Sequence, residues 1–211
     1  MRLPHHPEAV AALRTPTEAE PWRVLVSGCI FGWQVGIDGS TYGMDTTRPA
    51  WLREPLVEWV PFCPEDHALG TPRTMPDLHD GDGFAVLDGK ARVLDPDRVD
   101  LTAGMVEGAR AMVALAQEKQ IDFALLTDRS GACGSQVISL GCRFEEPVEY
   151  RKGVGVAAAA LLREGVPVVS HRDFKTLELL HQKLDPEYDP DPDALDHHEH
   201  PWVVEHLGSG A

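Results

Sequence analysis

Three cysteines, Cys29, Cys63 and Cys133, each follow an apolar run of the kind that forms a buried strand, with Gly or Pro a few residues away. Because the carboxyl ends of parallel strands share one edge of an open sheet, where ligands bind, the three thiols can meet at one point. A single free cysteine is most often a small buried hydrophobe, but three in matched positions favour chemistry. Soft thiolates suit zinc or an iron–sulfur cluster, and a three-cysteine set leaves one position open for substrate.

The fourth cysteine, Cys142, follows Cys133 by nine residues and allows two interpretations. It could complete a four-thiolate structural site, or it packs between the third cysteine loop and the next helix. We favour the packing role for Cys142.

Two polar residues accompany the cysteines. Glu65 lies two residues after Cys63, across Pro64, where a carboxylate beside the metal edge could shuttle a proton. Ser130 lies three residues before Cys133 in a glycine-rich turn, so its hydroxyl and the nearby N–H groups could hold an anion or a polar ring. The alternatives are a solvated glutamate and a turn-forming serine.

Two further motifs carry less information. The histidine-rich run 197–200 could hold a divalent metal, but no partner run of Cys or His precedes it, so we interpret it as part of a flexible tail. The glycine-rich run 153–156 opens a helix and could cradle an anion or allow close packing of helix on sheet. No Walker A motif or complete dinucleotide fingerprint is present, so a nucleotide cofactor is not supported.

The bulk properties limit the classes of function. The chain has 211 residues and a net charge of −15, which argues against nucleic acid as a partner. No apolar run approaches the roughly 20 residues that cross a bilayer, and the start at 1–7 has no apolar signal-peptide region, so we expect a cytoplasmic protein without membrane contact. Four cysteines in a chain of this length do not form a disulfide framework.

Helices between apolar strands predict the fold that positions these residues. We expect an α/β protein with a three-layer, mostly parallel, Rossmann-like sheet and a small inserted hairpin. The hairpin is predicted at 84–87 and 91–94, joined by an Asp-Gly turn. Residues 1–21 form an N-terminal extension, 22–184 a single α/β domain and 185–211 an acidic, histidine-containing tail. The expected strands are 22–27, 56–62, 121–126 and 166–170, and the expected helices are 49–53, 102–120, 154–162 and 173–183.

The ordered motifs from about Val24 to Ser170 resemble the thiouracil desulfurase family. Any one motif alone is common, but together and in this order they are specific. The matching pieces are Val26-Ser27-Gly28-Cys29-Ile30-Phe31-Gly32, Asp38-Gly39, Pro61-Phe62-Cys63-Pro64-Glu65, Gly70-Thr71-Pro72-Arg73, Asp100-Leu101-Thr102, Gly108-Ala109, Ser130-Gly131-Ala132-Cys133-Gly134 and Gly153-Val154-Gly155-Val156.

The resemblance implies a [4Fe–4S] cluster held by Cys29, Cys63 and Cys133. It further implies that the open iron takes sulfur from a thiolated pyrimidine without net redox change, that water attacks the ring carbon and that sulfide leaves. Glu65 and Ser130 match the family's motif positions and would manage the protons. The implied partner is a small thiolated base, and the oligomeric state is not implied.

Three departures from the family pattern concern the pocket wall and leave the cysteine set intact. Ala132 stands where the family usually has a serine, Thr127 where a lysine is common, and Gly36-Ile37 where an Arg-Tyr pair is usual. Two alternatives to a desulfurase remain open at this point. One is a non-catalytic protein with structural zinc or a carried cluster, and the other is a desulfidase of thiolated nucleosides or RNA, which a wide positive surface including Arg73 and Arg129 would favour.

Overall fold

The computed structural model of the protein describes residues 7–53 and 55–208. Four of its eight short strands form the central sheet. The strands are β1 Trp22–Ser27, β2 Val57–Phe62, β3 Asp77–His79, β4 Arg92–Leu94, β5 Phe123–Leu126, β6 Val137–Leu140, β7 Glu149–Lys152 and β8 Val168–Ser170. The helices are α1 Pro7–Ala11, α2 Gly28–Phe31, α3 Pro64–Leu69, α4 Gly83–Leu87, α5 Thr102–Lys119, α6 Val156–Arg163, α7 Phe174–Leu184 and α8 Pro201–Leu207. Short 3-10 helices span Met44–Thr47 and His197–Glu199.

The central sheet is parallel throughout and has the order β2-β1-β5-β8. Because successive side chains of a strand point to opposite faces, each strand supplies both cores. Leu25 and Leu126 pack in the core that contains residues of α5 and α6, whereas Val24 and Phe123 pack in the core that contains Leu177 and other residues of α7. Helices therefore cover both faces of the sheet, and the predicted three-layer α/β fold is confirmed.

The hairpin predicted at 84–87 and 91–94 is wrong in position. Residues Gly83–Leu87 form α4, which begins at Asp82, whose side chain accepts the N–H of Ala85 at 3.1 Å. Gly89, with φ +71°, follows the end of this helix. The Asp-Gly pair thus terminates a helix here, where the sequence pattern predicted the turn of a hairpin. The strand β4 instead pairs with β3, upstream of the helix. The small inserted hairpin of the fold is β6–β7.

The segment that crosses from β1 to β2 also differs from the prediction. The helix expected at 49–53 is a turn, and helical structure occurs earlier, in α2 and at Met44–Thr47. The other predicted strands and helices lie within a few residues of the observed ones, and β1 has the predicted bounds.

The C-terminal tail is packed against the domain, so its interpretation as a flexible segment is wrong. Asp196 and His197 are buried, and Val203 of α8 is fully buried. The acidic composition that suggested a solvated tail applies to residues 185–193, whereas the following residues make long-range contacts that local sequence does not reveal.

The division into 1–21, 22–184 and 185–211 stays a prediction, and the signal-peptide argument at 1–6 lies outside the described residues. No helix within the described parts of the chain has the length and apolar character needed to cross a bilayer.

Candidate functional site

Cys29, Cys63 and Cys133 lie together on the wall of one cavity of about 220 Å³ at the carboxyl edge of the sheet. The strands β1 and β2 end side by side, with Ser27 paired to Phe62, so the residues that follow them emerge next to each other. Cys29 lies in the single turn of α2, Cys63 is the N-cap of α3, and Cys133 lies in the loop after β5. Cys142, although half-buried, does not line this cavity.

Burial keeps the thiols protonated in the absence of a cation. It raises the pKa of Cys63 to about 12, with a smaller contribution from the nearby Glu65 carboxylate. Burial likewise raises the pKa of Cys29 and, well above its usual range, that of Cys133. Thiolates in this cavity therefore require a positively charged partner. A metal centre is such a partner, because cysteines that bind metal lose their protons. All four cysteines are free thiols.

The spacing of possible ligands bears on the kind of group that the cavity can hold. Ligands of one tetrahedral ion, with bonds of ~2.3 Å, lie about 3.8 Å apart, whereas thiolates at the corners of a cubane lie about 6–7 Å apart. Among residues 7–53 and 55–208, no three His, Cys, Asp or Glu side chains are close enough to hold one metal ion. Thiolates are the ligands that iron–sulfur clusters take, so the three thiols of this cavity fit such a group by their donor chemistry.

Polar contacts fix two of the sulfur atoms. The Cys29 Sγ lies 3.0 Å from Thr127 Oγ1. The Cys63 Sγ accepts the N–H of Asp66 at 3.4 Å, which caps the first turn of α3. These contacts orient the thiols without supplying a full positive charge.

Glu65 and Ser130 contact each other on the wall of the cavity. The Ser130 hydroxyl donates to Glu65 Oε1 at 3.4 Å and accepts the N–H groups of Ala132 at 3.2 Å and Cys133 at 3.0 Å. The serine therefore links the carboxylate to the loop that carries the third cysteine. A hydroxyl between a carboxylate and a cavity can pass a proton between them.

Arg73 holds Glu65 in this position. Its Nη2 and Nε atoms donate to Glu65 Oε2 at 2.7 and 3.2 Å, and Nη2 also donates to the Val35 carbonyl at 2.9 Å. The Arg73 side chain is only 6% exposed, so this ion pair is held in one geometry. From the sequence, Arg73 was expected near the cleft, but its pairing with Glu65 was not predicted. The only available signal was the position of Arg73 in the Gly-Thr-Pro-Arg turn, eight residues after Glu65.

The rest of the wall is largely apolar. Arg143, which also lines the cavity, is paired with Asp77, and Arg129 lies over the rings of Tyr150 and Trp202 at 5.4 and 5.1 Å. Arg73 and Arg129 thus have acidic or aromatic partners, which does not favour a broad surface for RNA. The apolar and aromatic side chains of the wall are Val35, Ile37, Tyr42, Met44, Phe62, Pro64 and Met75. A cavity with this lining suits a small organic molecule.

The glycine-rich run 153–156 supports the third cysteine loop. The N–H groups of Gly155, Val156 and Ala157 donate to the carbonyls of Gly134, Gly131 and Ala132 at 2.7 to 2.9 Å. Of the two roles that the sequence allowed for this helix start, the structure shows close packing, because these N–H groups already bind the cysteine loop.

Replacing Gly155 by alanine is expected to displace the cysteine loop. Its backbone angles suit any residue, but a Cβ would lie 2.4 Å from the backbone C and O of Ala132. We expect a loss of about 1–3 kcal/mol in the free energy of unfolding and a lower iron content after reconstitution. Urea titration and iron analysis measure the two effects.

The matched control is Gly104→Ala in α5, where the added Cβ is crowded by the flexible end of Leu69, at 2.7 Å, and lies at an ordinary contact distance of 3.8 Å from the Ala68 carbonyl oxygen. This variant should unfold with a free energy close to that of the unmodified protein. Equal behaviour of the two alanine variants would show that the contact with Ala132 does not matter.

Comparison with known proteins agrees with this arrangement. The sequence model of the 2-thiouracil desulfurase family matches residues 24–173. The uncharacterized protein YbbK of Bacillus subtilis (strain 168) is 30% identical over 157 residues, which are 73% of this chain and 99% of YbbK. The solved structure of the [4Fe-4S]-dependent thiouracil desulfidase TudS is 31% identical with a TM-score of 0.58, and the match covers 75% of this chain and 97% of TudS. The chain therefore belongs to the 2-thiouracil desulfurase family.

Proposed function

We propose that this protein is a [4Fe–4S]-dependent desulfidase that removes sulfur from a small thiolated heterocycle such as 2-thiouracil. The observation that carries the proposal is the shared cavity, in which three thiols meet the Glu65–Ser130 pair. Family membership and the likeness to TudS support desulfidase chemistry. In the net reaction a thiocarbonyl and water give a carbonyl and hydrogen sulfide, so no electrons are needed.

Cys29, Cys63 and Cys133 would hold the cluster through their sulfur atoms. When bound, such a cluster supplies an iron without a protein ligand, a Lewis acid for the thiocarbonyl sulfur. The apolar wall excludes bulk water from the heterocycle, which strengthens polar contacts inside the cavity.

Glu65 and Ser130 would handle the protons of the attacking water. Glu65 Oε1 is the acceptor, and the Ser130 hydroxyl, 3.4 Å away, can take part in the transfer because it bonds the carboxylate directly. Arg73 keeps Oε2 occupied, so that Oε1 is the oxygen directed toward Ser130. The carboxylate can return the proton to the departing sulfur.

We place this reaction in the cytoplasm, with a small-molecule base as the partner. Four free thiols suit a reducing compartment, and the net charge of −15 disfavours a large polyanion.

Anaerobic reconstitution with iron and sulfide tests the proposal. The reconstituted protein should convert 2-thiouracil to uracil with release of one sulfide per uracil, measured by chromatography and a colorimetric sulfide assay. The protein before reconstitution is the control. Stoichiometric zinc together with no sulfide release would instead support a non-catalytic metal protein.

A further inference from the structure

The C-terminal clasp, residues Asp196–Leu207, lies beyond the part of the chain that matches the family, yet it contacts the loop that carries Cys133. It comprises the 3-10 helix His197–Glu199 and α8. The cysteine loop, here residues 127–136, joins β5 to β6. The contacts between these two segments link residues about 60 to 70 positions apart.

The central contact is a buried pair of side chains. The Nδ1 atom of His197 hydrogen-bonds Oδ2 of Asp128, and the two side chains are 4% and 0% exposed. A buried carboxylate that loses a hydrogen-bonded side-chain partner is left with a large desolvation cost. His197 is therefore well placed to keep Asp128 in its present position.

Asp128 in turn holds both ends of the cysteine loop. Its Oδ1 atom accepts the N–H groups of Arg129 at 3.0 Å, Ser135 at 3.2 Å and Val137 at 3.3 Å. Burial opposes ionisation of Asp128, but the hydrogen bond and charge of His197, with these N–H groups, outweigh it and hold the Asp128 pKa below its usual value. The carboxylate thus closes the loop around Ser130 and Cys133.

Further contacts join the clasp to the same region. The N–H of His198 donates to Gln136 Oε1 at 3.0 Å, and the N–H of His197 donates to Asp173 Oδ1 at 3.1 Å. The ring of Trp202 in α8 also lies against the guanidinium of Arg129, which lines the cavity. Several independent contacts therefore converge on the loop and its pocket-lining arginine.

We propose that His197 is a positioning residue, which holds the cysteine loop through Asp128 so that Ser130 and Cys133 face the cavity. The positioning of the loop is independent of any cofactor. The consequence for cluster retention rests on the proposed function.

The rate at which iodoacetamide labels Cys133 in the cluster-free protein tests this role. Cys133 is 7% exposed, so labelling requires the loop to open, and Cys29 in the same molecule is the internal reference. His197→Ala should raise the Cys133 rate relative to Cys29 by at least about 10-fold, the effect of losing one hydrogen bond to a charged group. His197→Asn, which keeps an N–H near the place of Nδ1, should restore most of the protection. Peptide mass spectrometry gives both rates.

Two controls separate positioning from general stability. Leu180→Ala removes a fully buried side chain from the core on the α7 side of the sheet and should accelerate both cysteines alike. Lys175→Met breaks the exposed ion pair with Glu199 in the clasp and should change neither rate. If His197→Ala does not fold, His197→Phe provides a ring without the N–H for the same comparison.

The proposal is overturned if loss of the His197 N–H leaves the Cys133 to Cys29 ratio unchanged, or if His197→Asn gives no protection. In the loaded enzyme, His197→Ala should also release iron to a chelator at least about 10-fold faster than the unmodified protein. Should the unmodified chain take up no cluster, the proposed function fails, while the labelling ratio still decides the role of His197.

Discussion

Replacing Cys133 by alanine is expected to abolish sulfide release from 2-thiouracil. The variant lacks one of the three thiols that share the cavity, so a cubane would lose a ligand as well as its fixed orientation. Since changes outside the ligand shell already cost 10–100-fold in metal affinity or activity, we expect a loss of more than about 100-fold here. The iron and sulfide content after anaerobic reconstitution and the initial rate of sulfide release measure the effect.

The fourth cysteine provides the matched control. Cys142 has the same chemistry and is half-buried, but it lies after β6 and outside the cavity wall. Cys142→Ala should therefore keep both the iron content and the rate within about twofold of the unmodified protein, because the cost of a substitution depends on its site. An equal loss in the two variants would point to a four-thiolate site and would contradict the three-cysteine assignment.

The sequence was sufficient to predict the elements that carry the cysteines because each has a local signature. The runs at β1, β2 and β5 are short and mostly apolar, as expected for strands of a parallel sheet, and each ends at a glycine, proline or polar turn. Parallel strands bring such ends to one edge, so the convergence of Cys29, Cys63 and Cys133 followed from the fold class. Their role as ligands stays a prediction.

The features that the sequence did not predict depend on long-range contacts. An Asp-Gly pair carries the same local signal at the end of a helix and in a hairpin, and what makes Gly83–Leu87 helical includes its close packing against Gly155. The contact of His197 with Asp128 joins residues 69 positions apart, and neither has a sequence neighbour that reveals it. The pairing of Glu65 with Arg73 likewise depends on the turn between them.

Glu65→Gln is expected to lower the turnover number by roughly 100- to 10,000-fold, the usual contribution of a positioned acid or base. Glutamine has the same shape, and its carbonyl can still accept from the buried Arg73 guanidinium, so the loop should keep its place. It cannot accept a proton from water at the position of Oε1. The iron content and KM should therefore remain close to those of the unmodified protein while the turnover number falls.

Glu58→Gln supplies the same substitution on the neighbouring strand β2, where the side chain is 56% exposed and pairs only loosely with Arg23, at 3.7 Å. It should leave the turnover number unchanged. The double variant Glu65→Gln with Ser130→Ala adds a sharper test, because two groups on one proton path lose their effect together. Its turnover should fall little below that of Glu65→Gln alone. Losses that multiply would show that Ser130 acts independently of the carboxylate, and a Glu65→Gln variant with full turnover would remove Glu65 from the reaction.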